Sequence, residues 1–121
     1  MKLQKLSHDF SICKVASLEG VDFAGKYCFI SKTDEEISVV CKTKYAPADT
    51  IGRSDGWRAF RVEGELDMSL VGIISDITAI LAENQIPVFV VSTYNTDYFL
   101  VKKEMYEKAI TILDENGYGI S

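Results

Sequence analysis

Alternation of apolar and polar residues in the first half of the chain predicts β-strands. The segment FSICKVAS alternates from Phe10 onward, and YCFISKTDEEISVVCKT predicts a hairpin whose turn is residues 33–36. Folding the chain about that turn places Ile30 opposite Val39, so both lie on one face of the hairpin. We expect that face to point into the core.

Helical spacing replaces alternation in the second half. The segment SLVGIISDITAILAENQ repeats apolar residues at three- and four-residue intervals, which predicts an amphipathic helix over residues 69–84. Asp67 or Ser69 is suited to cap its start, and Pro87 follows its end. This interpretation puts Gly72 in the first helical turn, where glycine costs about 1 kcal/mol relative to alanine.

The other elements of the second half give the order strand, helix, strand, strand, helix. WRAFRVEGEL predicts the first strand, PVFVVSTYNTDYFLV a hairpin, and EMYEKAITILDEN a second helix over residues 104–116. The tail YGIS is short for a last strand. The predicted fold class is α+β, a ferredoxin-like βαββαβ unit with an antiparallel sheet and both helices packed on one face.

The first half resembles the same unit without its helices, which predicts two halves. We expect an N-terminal half at residues 1–56, with a turn-rich linker at 46–56, and a C-terminal half at residues 57–121. The strands of the first half would complete the sheet of the second. The alternative is a single ferredoxin-like unit with an N-terminal hairpin extension.

Composition and charge limit the classes of partner. The 121 residues carry 13 basic and 18 acidic side chains, a net charge of -5, and no basic patch is visible, which argues against nucleic acid. No apolar run approaches the roughly 18 residues of a membrane span, and the N-terminus lacks the apolar core of a signal peptide. We therefore expect a soluble, cytoplasmic protein.

The three cysteines, Cys13, Cys28 and Cys41, lie in apolar strand-like runs and form no Cys-x-x-Cys motif. The predicted hairpin places Cys28 opposite Cys41, which leaves a disulfide as an alternative. Buried, reduced thiols fit the expected compartment better.

The sequence lacks the residues that most enzymes need. His8 is the single histidine, near an expected loose terminus, and no nucleophile motif, metal-ligand cluster or phosphate-binding loop is present. We expect no catalytic residues, no metal and no cofactor. The competing class is a small ferredoxin-like hydrolase of the acylphosphatase kind, which would need an arginine phosphate cradle and a water-positioning asparagine. The three arginines are Arg53, Arg58 and Arg61.

Two clusters of residues are candidates for ligand binding. The first is the corner EGELDMSLVG, where backbone N–H groups at Ser69, Leu70, Val71 and Gly72 would favour an anion such as an α-carboxylate. Tight packing of the helix on the sheet is the alternative explanation of Gly72.

The second cluster is the bend STYNTD, which joins two apolar strands without a glycine. Thr96 and Asp97 would supply a hydroxyl and a carboxylate at one end of the sheet, although turn formation alone explains such residues too. Together the two clusters suit a zwitterion, with its carboxylate on the helix start and its ammonium or basic side chain toward Asp97.

Residues 57–116 resemble the ACT domain. The likeness is carried by FRVEGELDMSLVGI with its early Gly72, by LAENQIPVF, by STYNTDYFLV, which is similar to a turn of aspartate kinase regulatory domains, and by EKAITIL. Small bacterial tandem-ACT proteins, grouped with the ACT modules of the eukaryotic CASTOR arginine sensors, are the most similar. Unlike many ACT proteins, the chain is expected to have no attached catalytic domain.

The resemblance implies a regulatory module that binds an amino acid at an interface between two ACT-like subdomains. It also implies a homodimer, because ACT-like sheets commonly join edge to edge or pack through their helices, and a short last strand leaves an edge free. The alternatives are a monomer, and a protein–protein interaction module that uses the fold only for oligomerisation.

Overall fold

The structure, a computed structural model, describes residues 1–121 as seven strands, one short 3-10 helix and two α-helices. No helix is both long and apolar enough to cross a membrane. The elements are β1 (Lys2–Val15), β2 (Phe29–Lys32), β3 (Ile37–Lys42), a 3-10 helix (Thr43–Tyr45), β4 (Gly52–Val62), α1 (Ile73–Glu83), β5 (Phe89–Ser92), β6 (Asp97–Lys102), α2 (Lys103–Glu115) and β7 (Gly119–Ile120).

The chain forms two compact units. Met1–Ser7 and Arg58–Ser121 form one, called here the helical unit, and His8–Trp57 forms the other, called here the strand unit. The predicted halves at 1–56 and 57–121 stay a proposal, and residues 1–7 belong to the helical unit in the structure.

The helical unit has the predicted βαββαβ order, with a mostly antiparallel sheet and two helices. Its last strand, β7, is only two residues long and runs parallel to the start of β1, where Leu3 pairs with Ile120. The strands β1, β4, β6 and β5 then follow in that order. The first residues of the chain are therefore a strand of this unit, and the expected loose N-terminus was wrong.

Both helices pack against the sheet of the helical unit, as predicted. Phe60 and Phe99 lie at the centre of this core with their rings stacked 5.2 Å apart, and neither is exposed. Burial of such side chains supplies most of the unit's stability, because each large apolar group contributes about 1.5–3 kcal/mol. The buried residues that the helices contribute are Ile77, Leu81, Tyr106, Ala109, Ile110 and Leu113.

The start of α1 differs from the prediction. The helix begins at Ile73, and Gly72 is its N-cap with φ 85° and ψ -3°, so Gly72 lies before the first turn. A left-handed residue cannot continue a right-handed helix, and for this reason the predicted caps at Asp67 and Ser69 were wrong.

The strand unit holds the predicted hairpin. Its strands follow the order β2, β3, β1, β4. The register pairs Ile30 with Val39, as the sequence predicted, and Lys32 with Ile37. The unit's core contains Cys13, Val15, Val39 and Cys41, and all three cysteines are free thiols, as expected. β4 starts at Gly52, so only the first part of the predicted linker lies outside a strand.

The hairpins of the two units match element by element. The same number of residues separates β2 from β5, β3 from β6, and Lys42 from Lys102, and β3 and β6 have the same pattern of buried positions. Lys42 and Lys102 also share the same backbone angles, with φ near -60° and ψ near 140°. After these lysines the units diverge, because one continues as a single 3-10 turn and the other as α2.

Candidate functional site

A pocket of about 320 Å³ lies in the helical unit, between the start of α1 and the bend that joins β5 to β6. We call it the α1 pocket. It brings together the corner and the bend that the sequence singled out. Its lining residues are Leu66, Asp67, Met68, Leu70, Gly72, Ile73, Ile74, Ser75, Thr93, Tyr94, Asn95, Thr96 and Asp97.

The bend is held closed by hydrogen bonds between two threonines. The N–H and the hydroxyl of Thr93 both donate to the carbonyl of Thr96, at 2.9 and 3.0 Å, and the N–H of Thr96 donates to the hydroxyl of Thr93 at 3.3 Å. No residue of the bend has a positive φ, the conformation for which many hairpins use glycine, and side-chain hydroxyls close the bend with local hydrogen bonds. The bend therefore needs no glycine.

Two further hydrogen bonds fix the bend to the rest of the site. The buried hydroxyl of Thr96 donates to the carbonyl of Val62 at 2.7 Å, and the N–H of Leu66 donates to the carbonyl of Asn95 at 2.7 Å. The first bond joins the bend to the end of β4, and the second joins it to the loop before α1. Hydrogen bonds therefore connect both walls of the pocket.

The helix start presents backbone N–H groups at the pocket. The carbonyl of Gly72 accepts the first helical hydrogen bond, from Asp76 at 2.9 Å, and no side chain caps the helix. The first-turn amides of an α-helix have no partner within the helix, and the helix dipole adds a partial positive charge there. These amides belong to residues 72–75, which all line the pocket.

The charged side chains of the α1 pocket are both carboxylates. Asp97 is half-buried and accepts a hydrogen bond of 2.7 Å from the hydroxyl of Ser92. Asp67 is exposed, and the hydroxyl and N–H of Ser69 donate to it, which lowers the pKa of the Asp67 carboxyl. No Lys, Arg or His lines the pocket, so the side-chain charge there is negative while the helix start is partly positive.

The rim of the pocket is apolar and exposed. Tyr94, which lines the pocket, is 81% exposed, and Val71, the neighbour of Leu70 in the chain, is 90% exposed. Met68 and Leu70 are exposed beside them. Apolar groups that border a polar pocket in this way are typical of surfaces that are covered by a ligand or by another protein.

The six predicted site residues fall into two groups. Leu70, Gly72, Thr96 and Asp97 line the α1 pocket, and Ser69 and Val71 do not. The sequence missed the contribution of Ile73, Ile74 and Ser75, because it placed the helix start four residues too early. It also missed Tyr94, for which the sequence held no signal beyond an aromatic residue in a polar bend.

Metal and titration chemistry add little to this site. No group of three or more His, Cys, Asp or Glu side chains is placed to hold a metal ion. Beside the pocket, the hydroxyl of Tyr118 donates to Asp76 in the first turn of α1, and burial followed by that contact raises the pKa of Tyr118 to about 12. This contact joins the C-terminal segment to the helix start.

Comparison with known proteins points to one family. A family model described as the ACT domain matches residues 53–115. The crystal structure of a protein from Agobacterium tumefaciens is 30% identical, with a TM-score of 0.87 over 99% of this chain and 91% of that chain. No curated protein matches the sequence.

Two further solved structures share the fold at lower identity. A protein of unknown function from Vibrio cholerae, described as a possible transport protein, is 17% identical, with a TM-score of 0.71 over 94% of this chain and 88% of that chain. An aspartate kinase from Clostridium acetobutylicum, described as an allosteric enzyme, is 11% identical, with a TM-score of 0.64 over 92% of this chain and 32% of that chain.

Proposed function

Since this chain belongs to the ACT domain family, we propose that it is a regulatory module that binds an amino acid in the α1 pocket and has no catalytic activity. The observation that carries the proposal is the convergence of the helix start and Asp97 on one pocket. An amino acid needs a site for a carboxylate and a site for an ammonium group. The pocket offers one of each.

The proposed ligand lies with its carboxylate on the first-turn amides of α1. The sequence suggested the amides of Ser69 to Gly72 for this role, and the observed helix start moves the expected contact to residues 72–75. An exposed helix start stabilises an anion by about 0.3–1 kcal/mol, so the amides orient the ligand more than they hold it. The Cβ-free Gly72 keeps one side of this position open.

The ammonium group, or a basic side chain, is directed toward Asp97. A half-buried carboxylate interacts with a cation more strongly than an exposed one, because less water screens the pair. Asp67 adds a second negative charge at the same pocket. Ser69 would affect the ligand only indirectly, through the hydrogen bonds that it donates to Asp67. Val71 would do so only as part of the exposed apolar rim.

Two finer proposals concern assembly. We propose that the units derive from two ACT-like halves, as in tandem-ACT proteins of the CASTOR kind, and the matching hairpins support this. We also propose that the chain forms a homodimer through the exposed apolar rim of Met68, Leu70, Val71 and Tyr94. Light scattering should give twice the chain mass, and a particle of 13.5 kDa would refute the dimer.

The test of the ligand proposal is a thermal-shift screen of the twenty amino acids, followed by calorimetric titration of the best ligand. A ligand that binds only the folded state adds about 2.7 kcal/mol at a hundredfold excess over Kd, which shifts the melting temperature measurably. Asp97→Asn should bind the ligand at least tenfold more weakly, since about 1.4 kcal/mol corresponds to a factor of ten.

The matched control is Asp114→Asn, which removes the same charge from the exposed side of α2, remote from the pocket lining. It should bind as the wild type does. If no amino acid shifts the melting temperature, the chain is better explained as an interaction module. If Asp97→Asn binds with unchanged affinity, the ligand lies elsewhere.

A further inference from the structure

Two of the three cysteines, Cys28 and Cys41, face each other across the β2–β3 hairpin of the strand unit. Cys28 immediately precedes β2, and the register of β2 and β3, continued by one residue beyond Phe29, brings it opposite Cys41. The next step of the register is occupied by a contact too, because the Lys42 ammonium lies 5.5 Å from the centre of the Tyr27 ring. Contacts on both sides therefore place the two cysteines opposite each other.

The position of this pair along the hairpin suits a disulfide bond. The N–H of Thr33 donates to the carbonyl of Glu36 at 2.9 Å, so these two residues form a hydrogen-bonded pair at the turn. Hydrogen-bonded and non-hydrogen-bonded pairs alternate along antiparallel strands, and the cysteine pair lies an odd number of steps away. It is therefore a non-hydrogen-bonded pair, for which a Cα separation of about 4.5 Å is typical. Disulfides join Cα atoms that are about 4.4–6.8 Å apart.

Cys13 shares this core but does not lie opposite Cys41. The register of β1 and β3 pairs Ser11 with Cys41 and Cys13 with Val39, so Cys13 is a diagonal neighbour of Cys41. Diagonal neighbours are about 7–8 Å apart, which is beyond the range that a disulfide spans without movement of the backbone. The register therefore gives Cys41 one bonding partner, Cys28.

The fold itself does not need thiols at this pair. The equivalent positions at the β5–β6 hairpin of the helical unit are Val88 and Val101, which pack in an apolar core. Cys41 is only 2% exposed, and Cys28 is half-buried against the same core cluster. A cysteine packs as a small apolar residue does, and reactivity is what distinguishes it from such a residue.

We propose that Cys28 and Cys41 are a reversible redox pair, which a low-molecular-weight disulfide such as that of glutathione oxidises to an intramolecular disulfide. The half-buried Cys28 is the thiol that the oxidant reaches first. Its thiolate attacks one sulfur of the small disulfide, and the other sulfur leaves as a thiolate. The Cys41 thiolate then attacks the Cys28 sulfur and expels the second small thiolate. Two protein thiols are thereby oxidised, the small disulfide is reduced to two thiols, and the two protons of the protein thiols pass to them.

The bond would join the end of the loop between β1 and β2 to β3. Burial raises the pKa of both thiols, so the exchange is slow and is best measured at equilibrium. A disulfide that fits the native geometry restricts the unfolded chain, and we expect it to raise the melting temperature by about 4 °C or more. The redox pair belongs to the strand unit, and the proposal does not rest on the amino-acid ligand of the α1 pocket.

The experiment is a redox titration of the full, folded chain in glutathione buffers with a stepwise falling ratio of thiol to disulfide. Each sample is quenched in acid, its remaining thiols are alkylated, and the intact mass and a proteolytic digest locate the bonds. The expected result is the loss of two hydrogens from the chain, with a peptide that joins Cys28 to Cys41 and with Cys13 alkylated. Dithiothreitol should return the chain to the reduced mass.

Single-cysteine variants provide the matched comparison. Cys28→Ala should form no intramolecular disulfide at any ratio, whereas Cys13→Ala should be oxidised over the same range of ratios as the wild type. Cooperative thermal unfolding shows whether each variant is folded. If Cys13→Ala is not folded, the wild-type digest decides by itself, because it identifies the bonded cysteines directly.

Several results would overturn the proposal. These are a folded chain that forms no bond at any ratio, a bond that includes Cys13, and glutathione that stays attached to Cys28. A bond that forms only in urea would overturn it too, because it would belong to the unfolded chain. An oxidised chain that melts below the reduced chain would show that the bond distorts the native register, which contradicts the geometry on which the proposal depends.

Discussion

The hydroxyl of Thr96 donates a hydrogen bond of 2.7 Å to the backbone carbonyl of Val62. Thr96 is one of only two buried polar residues in the chain, at 7% exposure. This bond fixes the bend, which forms part of the lining of the α1 pocket, to the end of β4. The hydroxyl therefore holds one wall of the pocket in place.

Thr96→Val should destabilise the protein by about 1 kcal/mol, and by up to about 3 if the Val62 carbonyl is left without a partner. Valine matches threonine in shape, so the change removes the hydrogen bond and leaves the packing nearly intact. The free energy of unfolding in urea measures the effect. Thr78→Val is the control, because the Thr78 hydroxyl bonds only within the exposed surface of α1, and it should change stability by less than about 0.5 kcal/mol.

Gly72→Ala should destabilise the protein by about 1 kcal/mol, because Gly72 adopts a left-handed conformation that costs an L-residue about that much. A Cβ at this position would meet only Ser75 Oγ, at 4.0 Å, so the cost arises from the backbone and not from a clash.

Gly72→Asn is the matched variant, since asparagine tolerates the left-handed region better than alanine. It should lose clearly less stability than Gly72→Ala in the same urea titration. Equal stability of Gly72→Ala and the wild type would contradict the observed backbone conformation.

Most of the fold could be predicted from the sequence, because its patterns are local. The β2–β3 hairpin follows from two short apolar runs on either side of one polar turn, and its register was predicted correctly. The helix α2 was predicted within one residue at each end, since Gly117 supplies a clear C-terminal signal. The place of residues 1–7 beside β7 and β4 has no local signal, because it depends on pairing between distant parts of the chain.

The start of α1 shows why the site was harder to predict than the fold. Asp67 and Ser69 have the composition of a helix cap, but Asp67 bonds to Ser69 in a turn that ends before the helix begins. Ser/Asp side chains form such turns and helix caps with the same chemistry, so the sequence does not distinguish them. The sequence identified Arg61 only as a strand residue. The cavity that Arg61 lines is completed by Gly64, Glu65 and the β5–β6 bend, and the bend is distant from Arg61 in the sequence.

The wild-type protein should not hydrolyse an acyl phosphate such as acetyl phosphate. Arg61 and Asn95 line one cavity, which is the one observation in favour of the hydrolase alternative. The carboxylate of Glu65 at the same cavity opposes a phosphate dianion, and that opposition is the reason for expecting no turnover. Phosphate release at the rate of the buffer alone is the expected result. Turnover that Arg58→Ala or Arg61→Ala abolishes would establish an enzyme.

Stability should fall as the pH rises above about 9, because the strand unit buries thiols in their neutral form. Burial, followed by the nearby Cys13 and Cys28 thiols, raises the pKa of Cys41 from 9.0 to about 11. Burial also raises the pKa of Cys13 and of Cys28. The unfolded chain releases these protons at lower pH than the folded chain does, so the stabilising contribution is present below pH 9 and is lost as the pH approaches 11.

Urea titrations at pH 7, 8, 9 and 10 measure this effect, and Cys41→Ala should flatten the dependence between pH 8 and 10 while it lowers stability at every pH. The titrations stop at pH 10 because two tyrosines lower the stability in the same way above that pH. Burial raises the pKa values of Tyr106 and Tyr118 from 10.0 to about 12. Tyr118→Phe is the control, since it removes the more exposed of these two phenols and should leave the slope between pH 8 and 10 unchanged. An equally steep fall in Cys41→Ala would show that the pH dependence does not come from the Cys41 thiol.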